Sequence, residues 1–326
     1  MEVRLKIAVT VDVEEEGLFS GRYPREPAGV RNVEALRRLE FIPREFGFPL
    51  TLLPTYPVCR DPRCREILAE WRDRRGAEIG AHLHPWNTPP FADLGLPEPI
   101  PSDLLPSDLL REKLETLLAT VEREFGLRPQ SFRMGRFDLG RQVSALLPEH
   151  GIKLDSSIVP ARRVPDGPDH FLAPERPYLL ESSSGGRAVL EAPLTLVSVF
   201  PRARERLYSL ASVLRPEKAA MLFSAYRSVA VAGIQPAWFP LSSMKLAVRL
   251  HRRRGGRVLV MFLHSSELLP GATPGFRTGA AVERLVSKLR SFLHWLVRTS
   301  SVEGIVLSGL SSFPDAGGVR SGPPRG

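Results

Sequence analysis

Short apolar runs recur through this chain, and each is followed by an amphipathic stretch. That alternation is the pattern of β/α units laid around a parallel sheet, and it constrains the fold more than any other feature of the sequence. The runs that read as strands are 3–11, 49–53, 77–83, 130–133, 152–155, 188–199, 257–263 and 304–308. Several are continuous apolar segments, as expected of parallel strands covered on both faces. Residues 107–125 predict a helix. Leu110, Leu114, Leu117, Val121 and Phe125 recur at helical spacing, Ser107 or Asp108 is the candidate N-cap, and Gly126 stops the run. Residues 279–298 predict a second amphipathic helix, with His294 as a packing or surface residue. About seven or eight strands interleaved with helices indicate an α/β barrel or a doubly wound sheet.

The 326 residues are enough to bury a sizeable core. Residues 89–106 read as an insertion loop and 161–187 as a long loop covering a site. The tail 313–326 reads as disordered, leaving 1–312 as a single domain with long loops. No run approaches the roughly 18 uncharged apolar residues of a membrane span. Near the N-terminus, acids follow a short apolar run where a secretory signal would place its cleavage site, so a cytoplasmic protein is expected. Cys59 and Cys64 fit neither a zinc knuckle nor a redox pair and read as ordinary thiols.

The net charge is +9. Arginine clusters at 201–206 and 251–257 suit an anionic partner, such as an acidic glycan or the head groups of a membrane touched peripherally. A solvated arginine-rich surface explains them equally. No nucleic-acid motif accompanies the charge, so no nucleic-acid partner is expected. His251 falls in the second basic run, as a surface residue, and His150 at a helix C-terminus.

The chemistry gathers at strand ends. Asp12 and Glu14 follow the first strand, His82 and His84 the third, Arg133 and then Arg136 the fourth, Asp155 the fifth, and His264 with Glu267 the seventh. In a parallel barrel these ends converge on one face, where active sites lie. Asp12 and Glu14 are two apart, as are His82 and His84, so on an extended backbone each pair shares a side. Two imidazoles and one carboxylate with an open position for water form a common catalytic zinc shell. The metal candidates are therefore Glu14, His82 and His84. Asp12 could take the water's proton, His264 could protonate a leaving group, and Arg133 could hold Asp12 ionised and oriented. Arg136, Asp155 and Glu267 are candidate substrate-binding residues, Asp155 alternatively forming an Asx-turn. Trp86 is either a sugar-stacking wall or a core residue.

At these residues the sequence resembles the polysaccharide deacetylase family, the NodB-homology carbohydrate esterases. The resemblance runs from "TVDVEEE" (10–16) through "EIGAHLH", "SFRMGRF" and "LDSS" to "FLHSSEL" (262–268). It implies a distorted (β/α)7 barrel of TIM-like type and a divalent metal, usually zinc. It also implies a hydrolase acting on C–N bonds other than peptide bonds, one that removes an N-acetyl group from an amino sugar of a polysaccharide or glycolipid precursor. In that chemistry metal-activated water attacks the acetyl carbonyl, Asp12 is the base and His264 the acid. The motifs depart from the commoner form in two places. Val13 separates Asp12 from Glu14, as in a branch that includes peptidoglycan deacetylases and allantoinase-like amidohydrolases. The histidines stand two apart rather than four, with Trp86 in the fourth position. A ring-opening amidohydrolase and a catalytically inactive glycan-binding barrel are the alternatives.

Overall fold

A computed structural model of the chain describes residues 4–26, 29–164, 167–180, 188–312 and 320–321. Twelve strands are used below: β1 (Leu5–Val13), β2 (Leu50–Pro54), β3 (Glu78–Ile79), β4 (Ala81–Leu83), β5 (Ser131–Met134), β6 (Leu154–Asp155), β7 (Tyr178–Leu180), β8 (Val189–Glu191), β9 (Leu196–Ser198), β10 (Val231–Gly233), β11 (Val258–His264) and β12 (Val302–Gly304). β1 lies between β11 and β2, parallel to both, and the order continues through β3 and β4 to β5, β6 and β8. Thr195 closes the ring, donating its N–H to Val260 O at 3.0 Å and accepting from Val260 N through Oγ1 at 2.8 Å. The result is the distorted (β/α)7 barrel that the family resemblance implies, and not the doubly wound sheet that the strand pattern also allowed.

Strand alternation sorts the side chains. Ile7, Val9, Val11 and Val13 pack outward with the helices, whereas Ala8 joins Val260, Phe262 and Leu53 in a second, interior cluster. Thr10 and Asp12 share the inward parity of Ala8, and His264 that of Val260 and Phe262. The same rule sends Ala81 and Leu83 outward and His82 inward. Gly80 joins β3 to β4. Its N–H bonds Leu52 O at 2.9 Å, and a Cβ there would come within 2.4 Å of Ser131 Oγ.

The amphipathic helices form where the sequence places them. Ser107–Phe125 ends on left-handed Gly126, and Gly279–Thr299 begins at Thr278, whose Oγ1 accepts from Ala281 N at 3.2 Å. His294 is exposed, against Phe46 and Glu45.

Several local expectations are corrected. Pro106 is the N-cap of the first of these helices, and Ser107 instead donates to Gln142 Oε1 at 2.8 Å. The run 188–199 is two strands, β8 and β9, interrupted around Pro193, which has no N–H to give a ladder. The last strand lies at Val302–Gly304, and Leu307–Ser312 is a 3-10 turn. The loop 161–187 contains β7, antiparallel to β8. Within the loop 89–106, Ser102–Leu104 forms one short helical turn. His251 is buried despite its basic neighbours. Of the tail, only Arg320–Ser321 falls among the described residues, paired with β7. Cys59 and Cys64 are buried free thiols, both pushed up by burial. Among the described residues no helix is long and apolar enough to cross a membrane.

Candidate metal centre and catalytic cleft

The C-terminal ends of β1, β4, β5 and β11 meet over a cleft of about 420 Å³, bordered by Asp12, Glu14, His84 and His264. At its floor His82 Nε2 lies 2.9 Å from Glu14 Oε1, and His84 Nε2 lies 3.2 Å from the same oxygen. The two Nε2 atoms are 3.1 Å apart. Histidines two residues apart on an extended strand therefore do bring their Nε2 atoms together.

The other ring nitrogens settle the tautomers. His82 Nδ1 lies 2.9 Å from Arg133 O, a carbonyl that can only accept, so it carries a proton. His84 Nδ1 lies 2.8 Å from Glu15 Oε1, again an acceptor. With both Nδ1 atoms protonated, two Nε2 lone pairs and a carboxylate oxygen face one another. Three acceptors aimed at one point require a proton or a cation between them. Nitrogen and oxygen ligands on a tetrahedral zinc stand roughly 3.4 Å apart, close to this triangle. The donor set and its hydrogen-bonded outer partners thus fit a divalent cation.

Glu15 is the residue that the sequence left unassigned. Beyond His84 it accepts from Thr55 Oγ1 at 2.9 Å and from Asn87 Nδ2, and it is buried. Its signal was the run "EEE" after β1, where Glu15 alone falls outside the parity of Asp12 and Glu14 and must find another partner. Burial opposes charge on Glu14 and Glu15, but the neighbouring imidazoles outweigh it and hold both carboxyls below their usual range. His264 acts most strongly on Glu14, and His84 on Glu15. Gly135 makes room for this shell, since a Cβ there would meet His84 Cδ2 at 2.4 Å.

Asp12 stands beside this group. Arg133, fully buried, donates through Nη1 to Asp12 Oδ1 and to Thr10 Oγ1 at 2.9 Å. Its Nε donates to Ser156 O at 2.7 Å and its Nη2 to Ser156 Oγ at 2.9 Å. The guanidinium is thereby locked and Asp12 oriented. His264 Nε2 lies 4.0 Å from Glu14 Oε2, and its Nδ1 lies 3.1 Å from Glu267 Oε1. Burial disfavours the imidazolium, but Glu14 and Glu267 outweigh it and hold His264 up at about 9.

Glu267 is thus committed to His264, accepting from its backbone N–H as well at 3.1 Å, rather than open to a substrate. Asp155 is also withdrawn from the cleft. It accepts from Ser157 N at 3.0 Å and Ser157 Oγ at 2.6 Å, the geometry of an Asx-turn, and is fully buried. Burial raises its pKa and that of its strand neighbour Glu191. Trp86 is placed as a core residue that also reaches the cleft. It is buried and stacks on His84 with ring centres 4.2 Å apart, yet it borders the cleft with its Nε1 unpartnered among the described residues. Arg136 reaches the cleft from a left-handed position, φ 59°, with its guanidinium over the Tyr23 ring. Arg162, Arg227 and Trp238 border it too, and no strand-end pattern marked them because they sit on loops and a helix.

No protein-family model and no curated protein matches the sequence. Solved structures do match. A protein from Mycobacterium smegmatis designated a polysaccharide deacetylase aligns over 97% of this chain and 92% of its own, at 18% identity and a TM-score of 0.57. The chain shares its fold with the polysaccharide deacetylases. A protein from Parabacteroides distasonis designated a glycoside hydrolase/deacetylase aligns over 95% of this chain and 71% of its own, at 10% identity and a TM-score of 0.61. The PuuE allantoinase aligns over 95% of this chain and 89% of its own, at 13% identity and a TM-score of 0.53. The polysaccharide-deacetylase fold therefore agrees with the barrel described above.

Proposed function

We propose that this chain is a metal-dependent hydrolase that removes an N-acetyl group from an amino sugar of a polysaccharide or glycolipid precursor. One observation carries the reading: Glu14 and the two Nε2 atoms converge within 3.2 Å, and Asp12 and His264 each bring a ligand atom within 4.8 Å of Glu14. Fold alone would not support it, because one fold hosts many reactions.

Glu14, His82 and His84 would hold the cation, zinc being the metal that suits this donor set. When bound, such a cation supplies Lewis acidity toward a carbonyl oxygen and a water that ionises near neutral pH. Asp12, oriented by Arg133, takes the proton of the attacking water. His264 carries a proton on Nε2, facing Glu14, and passes it to the departing amine as the C–N bond breaks. Glu267 holds the imidazolium in place through Nδ1. Phe19 meets His264 edge-on with centres 5.3 Å apart and narrows the access of water to that proton. The aromatic border of Tyr23, Trp86 and Trp238 suits the apolar face of a sugar ring.

The test is acetate release from N-acetylated chito-oligosaccharides and from N-acetylated lipid precursors, with zinc present and after chelation. Metal-dependent release is expected. Ring opening of allantoin without acetate release from any N-acetyl sugar would replace this reading by the amidohydrolase one. Oligosaccharide binding with neither bound metal nor turnover would replace it by the inactive barrel.

A further inference from the structure

Arg136, Arg162 and Arg227 come from three separate segments and all border the catalytic cleft. Each guanidinium rests on an aromatic ring. Arg136 lies 5.2 Å from the Tyr23 centroid, Arg162 lies 5.8 Å from Phe137, and Arg227 lies 5.3 Å from Trp238. Their polar contacts leave most donors uncommitted. Arg136 donates through Nη1 to the Tyr23 hydroxyl, and Arg162 through Nη1 to Arg136 O at 2.8 Å. Among the described residues none of the three has a carboxylate ion-pair partner. Asp138, which acts on Arg162 and Arg136 through its charge, accepts from Ser102 N through Oδ2 at 2.6 Å, and burial raises its pKa. Asp12 and Glu14 border the same cleft, with Asp12 engaged by Arg133 and Glu14 by the histidines.

This arrangement is costly if it stays empty. Arg162 and Arg227 are half-buried and Arg136 is exposed; the like charges of the first two repel, and aromatic faces offset only part of their lost hydration. Burial, then the charges of Arg227 and Arg136, brings Arg162 down to about 10. Elsewhere in the same molecule half-buried arginines are paired, as Arg204 and Arg254 are with Glu175. Three arginines set over aromatic rings, open to a cleft and without an ion-pair partner among the described residues, match the chemistry that receives a phosphate or a carboxylate.

We infer that Arg136, Arg162 and Arg227 form an oxyanion-binding subsite, so that the substrate is an amino sugar bearing a phosphate or carboxylate group close to its N-acetyl group. The inference rests on the proposed deacetylase reading for the word substrate, but the binding does not. Arg162 and Arg227 thereby become specificity residues, and the basic balance of the chain acquires one defined place where it meets a ligand.

Calorimetric titration of the zinc-loaded protein with N-acetylglucosamine 1-phosphate, a uronic-acid disaccharide and neutral N-acetylglucosamine tests this. At least one anionic sugar is expected to bind about 10-fold or more tightly than the neutral one, the weight of one charged hydrogen bond. Arg162→Gln and Arg227→Gln should each remove most of that preference, Arg227→Lys should keep part of it, and added salt should weaken it. Which anion wins identifies the group. Because the metal stays in every variant, a preference arising at the metal would survive the arginine substitutions, and that result overturns the subsite. Equal affinity for charged and neutral sugars overturns it too. An anion preference that depends on the arginines, in a protein that releases no acetate, would keep the subsite and reject the deacetylase reading.

Discussion

The Nε2 atoms of His82 and His84 stand 3.1 Å apart, and Glu14 Oε1 lies within 3.2 Å of both. Their Nδ1 atoms cannot relieve the contact, because Arg133 O and Glu15 engage them. This pair is what makes the strand end a candidate metal centre.

Zinc should therefore stabilise the fold measurably. At a free concentration of about 100 times Kd, binding contributes roughly 2.7 kcal/mol, a rise in Tm of about 4 °C for a chain of this size. His82→Ala should lose both the shift and the metal found by elemental analysis. Full occupancy in that variant would remove His82 from the ligand set.

Glu15 should tune the metal without touching it. Glu15→Gln takes away the charge behind His84 Nδ1, and zinc affinity is expected to fall by about 10- to 100-fold. Competition with a chromophoric chelator reads this directly, and unchanged affinity would make Glu15 a purely structural acid.

Asp12→Asn and His264→Ala should each lower kcat by about 100-fold or more while zinc content stays at the wild-type level. Wild-type turnover in either variant would sink that role. The acid must be protonated to act, and His264 is held up at about 9, so activity should fall as pH rises through that value. Glu267→Gln removes one of the charges holding it up. The alkaline limb of the rate profile should then move to lower pH, and an unmoved limb would assign it to another group.

Arg133 should matter for folding as much as for catalysis. Arg133→Met leaves Asp12 buried without its partner, a loss of about 3–5 kcal/mol. Adding Asp12→Asn removes the stranded charge, so the double variant should unfold at higher denaturant than the single Arg133→Met. Strict additivity in that cycle would mean that the two side chains are not coupled.

Acid should destabilise the chain through histidines outside the site. Burial, with the charge of Arg162 adding to it, holds His170 down at about 3, and burial holds His251 down at about 4. Unfolded, both protonate near 6.5, so the unfolded state binds the extra protons between those limits. The contribution of these two histidines should be level above about pH 6.5 and fall below it, by roughly 1.4 kcal/mol per pH unit for each. His251→Asn should flatten the slope of denaturation midpoint against pH by about half across pH 4–6.

The chemistry-bearing residues were legible in the sequence because strand alternation is a local property. Asp12 shares a parity with Ala8, His264 with Val260, and His84 with His82, so a linear pattern already assigns them to one side of the ring. The barrel was legible for the same reason, since an apolar run covered on both faces announces a parallel strand wherever it occurs. What the sequence alone did not decide was which polar groups meet across that ring. Asp155 ends a strand as Asp12 does, yet it turns into Ser157 and away from the cleft. Glu267 follows His264 and serves it rather than a substrate. His251 sits among arginines and is nonetheless buried. Arg162 and Arg227 carry no pattern at all, being placed by a loop and a helix that only ring closure brings to the cleft. The physical reason is one of range: period and parity act over a few residues, whereas hydrogen bonds and Coulomb forces act between whichever side chains the closed barrel sets a few ångströms apart.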